Sequence, residues 1–212
     1  MGWLVGLDIS LLKAVFEKAN CRYKIIIVNW KRSLKELEKG SLDVVLTASI
    51  TSERKQYAYF SSPYREEQMR IFVRKDQSAN WPLKQLADII SYNMKLAITL
   101  GSYYGEEFEQ LYNNNSDFKS FIINVAQPEQ GLLMVASKRT DGVLQDMYNL
   151  HSQAETLKIR DKLEIHPYIV SSGPVHFMFS KKSVTHQDVY TINKALVDFI
   201  KTEDYQTIYK FD

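Results

Sequence analysis

The amino-acid sequence predicts an α/β fold of two lobes joined by two crossing strands, and three observations predict it. Helical and strand patterns alternate along the chain, which favours layered α/β architecture with parallel strands. The frame "LEKGSLDVVL" (37–46) recurs as "VASKRTDGVL" (135–144), each time a helix end, a basic stop, Asp43 or Asp141, then an apolar strand. Two isolated strand patterns, "MRIFVRK" (69–75) and "VHFMFSKK" (175–182), flank the second set of elements. The second lobe is therefore read as inserted into the first, with the crossings as a hinge. The expected lobes are residues 1–73 with 178–212, and residues 74–177.

In chain order, Leu12, Val15, Phe16 and Ala19 recur at three and four residues and predict an amphipathic helix with Asp8 as its N-cap. "YKIIIV" (23–28) reads as a buried strand. "SLKELEKG" (33–40) is a short helix stopped by Lys39 and Gly40, and "LDVVL" is the next strand. After the crossing at 69–75, "DQSANWP" breaks the chain. The second set then runs "KLAITL" (95–100) as a strand, "SYYGEEFEQLY" as a helix start and "YNNNSD" as a loop. "SFIINV" (120–125) follows as a strand, "PEQGLLMVASK" as a helix with Pro128 in its first turn, and "DGVLQD" (141–146) as a strand. "LEIHPYIV" (163–170) is a further strand, separated by "SSGP" from the crossing at 175–182. Val189, Ile192, Leu196 and Phe199 place a last long helix before a short helical tail.

Composition narrows the function classes. The 212 residues suffice for one large domain or two small ones, and 45% apolar with 25% charged residues is ordinary for a globular protein. A formal charge of +2 lacks the basic footprint of a nucleic-acid binder. Cys21 stands alone, so neither an intrachain disulfide nor a cysteine-based zinc site can form. The four histidines show no metal-ligand spacing, and no nucleophile-elbow or phosphate-loop motif occurs. No cofactor and no metal are expected.

The distinctive polar groups fall at strand ends, where open α/β sheets place ligand contacts. "TASITSER" sets Thr47, Ser49 and Arg54 just beyond "DVVL". An arginine there suits a planar carboxylate, though such an arginine is more often a surface or intramolecular ion-pair residue. "LGSYYGEEF" combines a strand end, a tight turn at Gly101 and Ser102, and a helix N-terminus, an arrangement that favours an anion. A serine in such a strand-helix turn is usually a helix cap. Asp146 closes the echoed strand of the second lobe and suits an ammonium group, or caps the following helix "MYNLHSQAETL". Trp30, closing "IIIVNW", is either core or a pocket wall. Arg54 and Asp146 together describe partners for a small zwitterion.

The stretches "GLDISLLKAVFEKA", "NWKRSLKELEKGSLDVVLTASITSERKQYAYFSSPY", "GSYYGEEF", "KRTDGVLQD" and "VHFMFSKKS" resemble the extracellular solute-binding proteins of family 3, which serve polar amino acid ABC transporters. The resemblance covers almost the whole chain and implies the type II periplasmic binding protein-like fold, a non-enzymatic periplasmic role, an amino acid-like ligand and a partner permease. It implies that Arg54 holds the ligand's α-carboxylate with help from Ser49, Ser102 and Tyr103, that Asp146 accepts the α-ammonium, and that Trp30 touches the ligand side chain. The segment from Asp43 to Arg54 is one residue shorter than in the well-known amino acid binders, which alters the pocket expected at Thr47 and Ala48. Related chains also act as sensor domains and as dehydratases of cyclohexadienyl acids; a dehydratase would need Asp146 as general acid or base, and no second titratable group stands beside it. The family's first strand and its aromatic ligand contact are absent upstream of Gly2, so the native product is expected to extend upstream through a strand and an export signal.

Overall fold

The structure, a computed structural model, describes residues 6–209. It packs as two compact units. One comprises the chain up to Val28, Arg32–Glu66 and the chain from Pro174; the other comprises Asn29–Lys31 and Glu67–Gly173. Two strands, β3 (Arg65–Arg74) and β7 (Leu163–Ser180), pass from one unit to the other.

In the first unit, β1 (Val44–Ala48) and β2 (Ala58–Phe60) both pair antiparallel with the carboxyl end of β7. Helices α1 (Leu7–Lys18) and α9 (His186–Phe199) cover this sheet, burying Leu11, Val15, Phe16 and Leu196 against Phe177 and Phe179. Thr185 starts α9 through a reciprocal capping box with Asp188. Helix α10 (Glu203–Ile208) is the predicted tail. Asp8 is not the N-cap of α1; Gly6 holds that position without a side-chain bond, and Asp8 lies within the first turn. A carboxylate there still suits the positive end of the helix, but its oxygens serve other partners described below.

The predicted strand at 23–28 does not form. Among the described residues, no ladder joins this segment, and Ile26 and Ile27 are 52% and 75% exposed. A cavity of ≈ 760 Å³ separates it from residues 41–46 of β1 and its approach. Apolar composition makes a strand only where a neighbour supplies backbone partners. Trp30 consequently opens helix α2 (Trp30–Lys39) instead of ending a strand.

In the second unit, β4 (Leu96–Thr99) lies parallel between β6 (Gly142–Asp146) and β5 (Ile122–Val125), and β3 adds to β6 antiparallel. Alternate residues serve opposite faces. Ile71, Leu96, Ile98 and Leu144 join Phe108 and Phe118 in one core; Phe72, Ala97 and Val143 join Leu132 and Leu150 in another. Helix α4 (Asp88–Ser91) adds Ile89 to the first core. Helices α5 (Glu106–Asn114) and α6 (Ser116–Ser120) bring the two phenylalanines, and α7 (Pro128–Ala136) and α8 (Met147–Thr156) bring the two leucines.

Three further boundaries differ from expectation. "YNNNSD" is no open loop: α5 continues to Asn114 and Asn115 caps α6 by accepting from the Phe118 amide. "SSGP" does not divide β7, because Gly173 sits in open space and Pro174 removes only one donor from a continuous strand. A six-residue helix, α3 (Ser52–Tyr57), follows β1, where the sequence reading assigned no element. The repeated frame has a backbone counterpart: after α2 the chain turns at Gly40 with φ 85°, and after α7 at Lys138 with φ 63°. At Gly40 a Cβ would lie 2.9 Å from that of Lys182, so glycine is required there on steric grounds as well.

Candidate functional site

The carboxyl end of β1 is bulged. Val45 pairs with Met178 and Ala48 with His176, so three steps along β1 oppose two along β7. Thr47 absorbs the excess with φ 57°, a left-handed conformation rare for a β-branched residue. Its amide donates to the Tyr64 hydroxyl at 3.0 Å and its own hydroxyl donates to Asp8 Oδ2 at 3.1 Å. The Thr47 hydroxyl, predicted at the site, is thus engaged within its own unit.

Beyond the bulge, Ser49 and Arg54 come together. Thr51 caps α3 by accepting from the Arg54 amide at 3.2 Å, and Arg54 Nη1 donates to the Ser49 carbonyl at 2.9 Å. Arg54 is 95% enclosed by this packing, its exposure being 5%. A guanidinium presents five donors in a rigid planar fork, and the bond to Ser49 helps to fix the orientation of that plane.

The other predicted residues lie in the second unit. The Trp30 indole donates to the Gly101 carbonyl at 2.9 Å, which places its ring beside the turn that carries Ser102 and Tyr103. That turn has Gly101 at φ 84° and is pinned by Tyr104, whose buried hydroxyl accepts from the Thr99 amide at 2.7 Å. Burial pushes the Tyr104 phenol up to about 12, against the hydrogen bonds from Thr99 and Ser102 that pull it down, so it stays protonated. Ser102 does not open a helix. Helix α5 starts at Glu106 behind Gly105, whose φ is 99° and where a Cβ would stand 2.6 Å from that of Ser171. Its first turn carries Glu106, Glu107 and Glu109, and Glu107 already accepts from the Leu86 amide. The helix start thus lies four residues beyond Ser102, and the turn at 99–104 is separate from it.

Asp146 ends β6, opposite Met69 of β3, and is 3% exposed. It occupies the N-cap position of α8, yet its side chain makes no capping bond. The capping alternative is thereby set aside. The neighbouring Gln145 side chain is fixed by Gln153 at 3.1 Å.

Two of the histidines hold backbone groups. His176 Nδ1 meets the Ser61 carbonyl at 2.8 Å, and His166 bridges the Trp81 carbonyl and the Tyr168 amide. Among the described residues, no group of three or more His, Cys, Asp or Glu is placed to hold a metal ion, and no helix is long and apolar enough to cross a membrane.

Sequence reasoning missed the Asp8–Arg65 pair. Arg65 Nε and Nη2 donate to the two Asp8 oxygens at 3.1 and 3.0 Å, in a bidentate pair that is nearly buried. The two residues are 57 positions apart, and neither sits in a motif that announces the other. The Tyr209 hydroxyl donates to Asp8 Oδ1 at 2.9 Å. Burial and the Asp8 charge push the Tyr209 phenol far above its ordinary value. They do the same at Tyr64.

The family described as bacterial extracellular solute-binding proteins, family 3, matches residues 1–211. A probable amino-acid-binding protein of Bacillus subtilis, YxeM, is 26% identical over 202 residues, covering 94% of this chain and 72% of its own length. Among solved structures, an ancestral arginine-binding protein bound to arginine superposes with a TM-score of 0.80 at 26% identity, covering 98% of this chain and 88% of that one. The arginine-, lysine-, histidine-binding protein ArtJ of Geobacillus stearothermophilus gives 0.78 at 23% identity, with 97% and 84% covered, and shares the type II periplasmic binding protein fold.

Proposed function

Because the chain belongs to the bacterial extracellular solute-binding proteins of family 3, we propose that it binds a small amino acid-like zwitterion without transforming it and delivers it to the permease of an ABC transporter outside the cytoplasmic membrane, in the periplasm. In this reading the two compact units are the family's lobes. Arg54 receives the α-carboxylate, flanked by the Ser49 backbone and the turn at Ser102 and Tyr103. Asp146 receives the α-ammonium, and Trp30 flanks the ligand side chain.

The observation that carries the reading is the state of the two charges. Arg54 is enclosed with its plane set by the Ser49 carbonyl, and Asp146 is enclosed at an N-cap position that it does not use for capping. Strand ends of open α/β sheets are where polar ligands are taken. A zwitterion carries a carboxylate complementary to the Arg54 guanidinium and an ammonium complementary to the Asp146 carboxylate. Arginine is the leading probe, because the ancestral protein at 26% identity binds it and also has been seen with glutamine.

Titration calorimetry with L-arginine, L-lysine, L-histidine and L-glutamine tests this. Saturable binding of one of them, abolished by removing its α-carboxylate as in agmatine for arginine, is expected. Absence of binding to all four, with turnover of prephenate to an aromatic product, would replace the reading with an enzymatic one.

A further inference from the structure

We infer that Asp8 is a positioning residue for the ligand arginine: by holding Thr47 in its left-handed bulge, it sets the direction in which the chain leaves β1 and so places Arg54. The inference rests on the proposed role of Arg54.

Hydrogen bonds from Asp8 to Thr47 and from Arg54 to Ser49, joined by the short stretch of chain from Thr47 to Ser49, link the two. The Asp8 carboxylate is fixed first, by the two-point contact from Arg65 and by Tyr209. With its remaining capacity, Asp8 Oδ2 accepts from the Thr47 hydroxyl at 3.1 Å. The Tyr64 hydroxyl accepts from the Thr47 amide at 3.0 Å, so the residue is held from side chain and backbone together. Bulges of this kind ordinarily use glycine at the left-handed position. Threonine there is strained and persists only where its surroundings over-determine it. Directly beyond, Ser49 orients the guanidinium through its carbonyl and Thr51 caps the short helix that carries Arg54. If Thr47 relaxed to a negative φ, the bulge would flatten and the next residues would exchange faces of the strand. The Ser49 carbonyl would then leave Arg54.

This makes a specific demand on glycine substitution. Glycine at 47 adopts φ 57° without strain, so it removes the need for the clamp, whereas valine keeps the strain and loses the hydroxyl. Asp8→Ala should weaken L-arginine binding about tenfold or more, as the strain at such positions implies. Adding Thr47→Gly to Asp8→Ala should restore affinity to within about threefold of the parent. Thr47→Val, which leaves Asp8 and Arg65 paired, should weaken binding as Asp8→Ala does, while Thr47→Gly alone should not.

A role confined to general stability would give a different pattern: the double variant would bind no better than Asp8→Ala, and Thr47→Val would bind like Thr47→Gly. Either result overturns the inference. Hydrogen exchange on the unliganded protein gives a reading independent of ligand identity. Amides at 48–54 should exchange faster in Asp8→Ala and Thr47→Val than in the parent, and return to the parental rate in the glycine double variant. Unchanged exchange in both single variants overturns the inference even if the parent binds no L-arginine, a failure that would instead count against the proposed ligand.

Discussion

Arg54 Nη1 donates to the carbonyl of Ser49, five residues earlier, at 2.9 Å, so the guanidinium is oriented by the very loop that delivers it. Replacing arginine by lysine keeps the charge but loses the planar fork, and an ammonium on a flexible stem cannot hold the Ser49 carbonyl and a carboxylate in one plane. Arg54→Lys is therefore expected to weaken amino acid binding by about 2 kcal/mol or more, and Arg54→Ala by about 2 to 5 kcal/mol, the range for truncating one partner of a buried charge pair. Calorimetry with L-arginine measures both; two variants within twofold of the parent would remove Arg54 from the site.

Asp146→Asn preserves shape and removes charge. Ligands with an α-ammonium should lose far more affinity than deaminated analogues of the same side chain, because only the former place a cation against the carboxylate. Comparing L-arginine with its deaminated counterpart in parent and variant tests this, and equal losses for both ligands would show that Asp146 does not meet the amine.

Breaking the Asp8–Arg65 pair concerns stability. Arg65 has 4% of its side chain exposed and Asp8 12%, so the pair is nearly desolvated. Arg65→Ala leaves Asp8 facing the Tyr209 and Thr47 hydroxyls with no cation, and a cost of about 3 to 5 kcal/mol is expected, as for other buried pairs losing one partner. Urea unfolding would show it as a lower midpoint; a change below about 1 kcal/mol would place the pair with surface bridges.

Gly105 and Gly173 form an internal contrast. At Gly105 the backbone is left-handed and an added Cβ would stand 2.6 Å from that of Ser171; at Gly173 nothing lies within 4 Å. Gly105→Ala should destabilise by more than about 1 kcal/mol, whereas Gly173→Ala should fall within about 0.5 kcal/mol of the parent. Thermal melting of the two variants reads the difference directly.

What the sequence made legible follows from where the determining contacts lie. Helices α1 and α9 declare themselves through apolar residues three and four apart, and β1 and β6 through short apolar runs after a basic stop, because those signals are local. Arg54 was legible as a candidate through its place beyond a strand. The segment 23–28 was misread because an apolar run does not state whether a neighbouring strand exists, and here Ile26 and Ile27 meet solvent. Helix α3 was invisible because its six residues are polar and end a strand, where turn chemistry and helix chemistry look alike. The Asp8 network could not be read at all: its members come from positions 8, 47, 64, 65 and 209, and only tertiary folding brings them together.

His166 makes stability depend on pH in a defined direction. Its Nδ1 accepts from the Tyr168 amide at 3.1 Å, so Nε2 must carry the proton and donate to the Trp81 carbonyl at 2.7 Å. This is the neutral ring. Protonation would put a second N–H against the Tyr168 amide and bury a charge. Burial lowers the His166 pKa, with the Arg70 charge acting the same way, and the bond to Trp81 and the Glu164 charge oppose them. In the unfolded chain the ring titrates near about 6.5. Below that value the unfolded state binds a proton that the folded state refuses, so stability falls as pH drops through about 6.5 and levels off only below the lowered folded pKa. The contribution is intact at higher pH. Proton-detected titration of the histidine ring signals should show His166 with a midpoint below that of an exposed histidine. His166→Gln, which can still donate to the Trp81 carbonyl, should lose less stability than the parent between pH 7.5 and pH 5.5. Equal losses in the two proteins would assign the acid sensitivity to other groups, beginning with His151, whose pKa is lowered by burial and by Arg160.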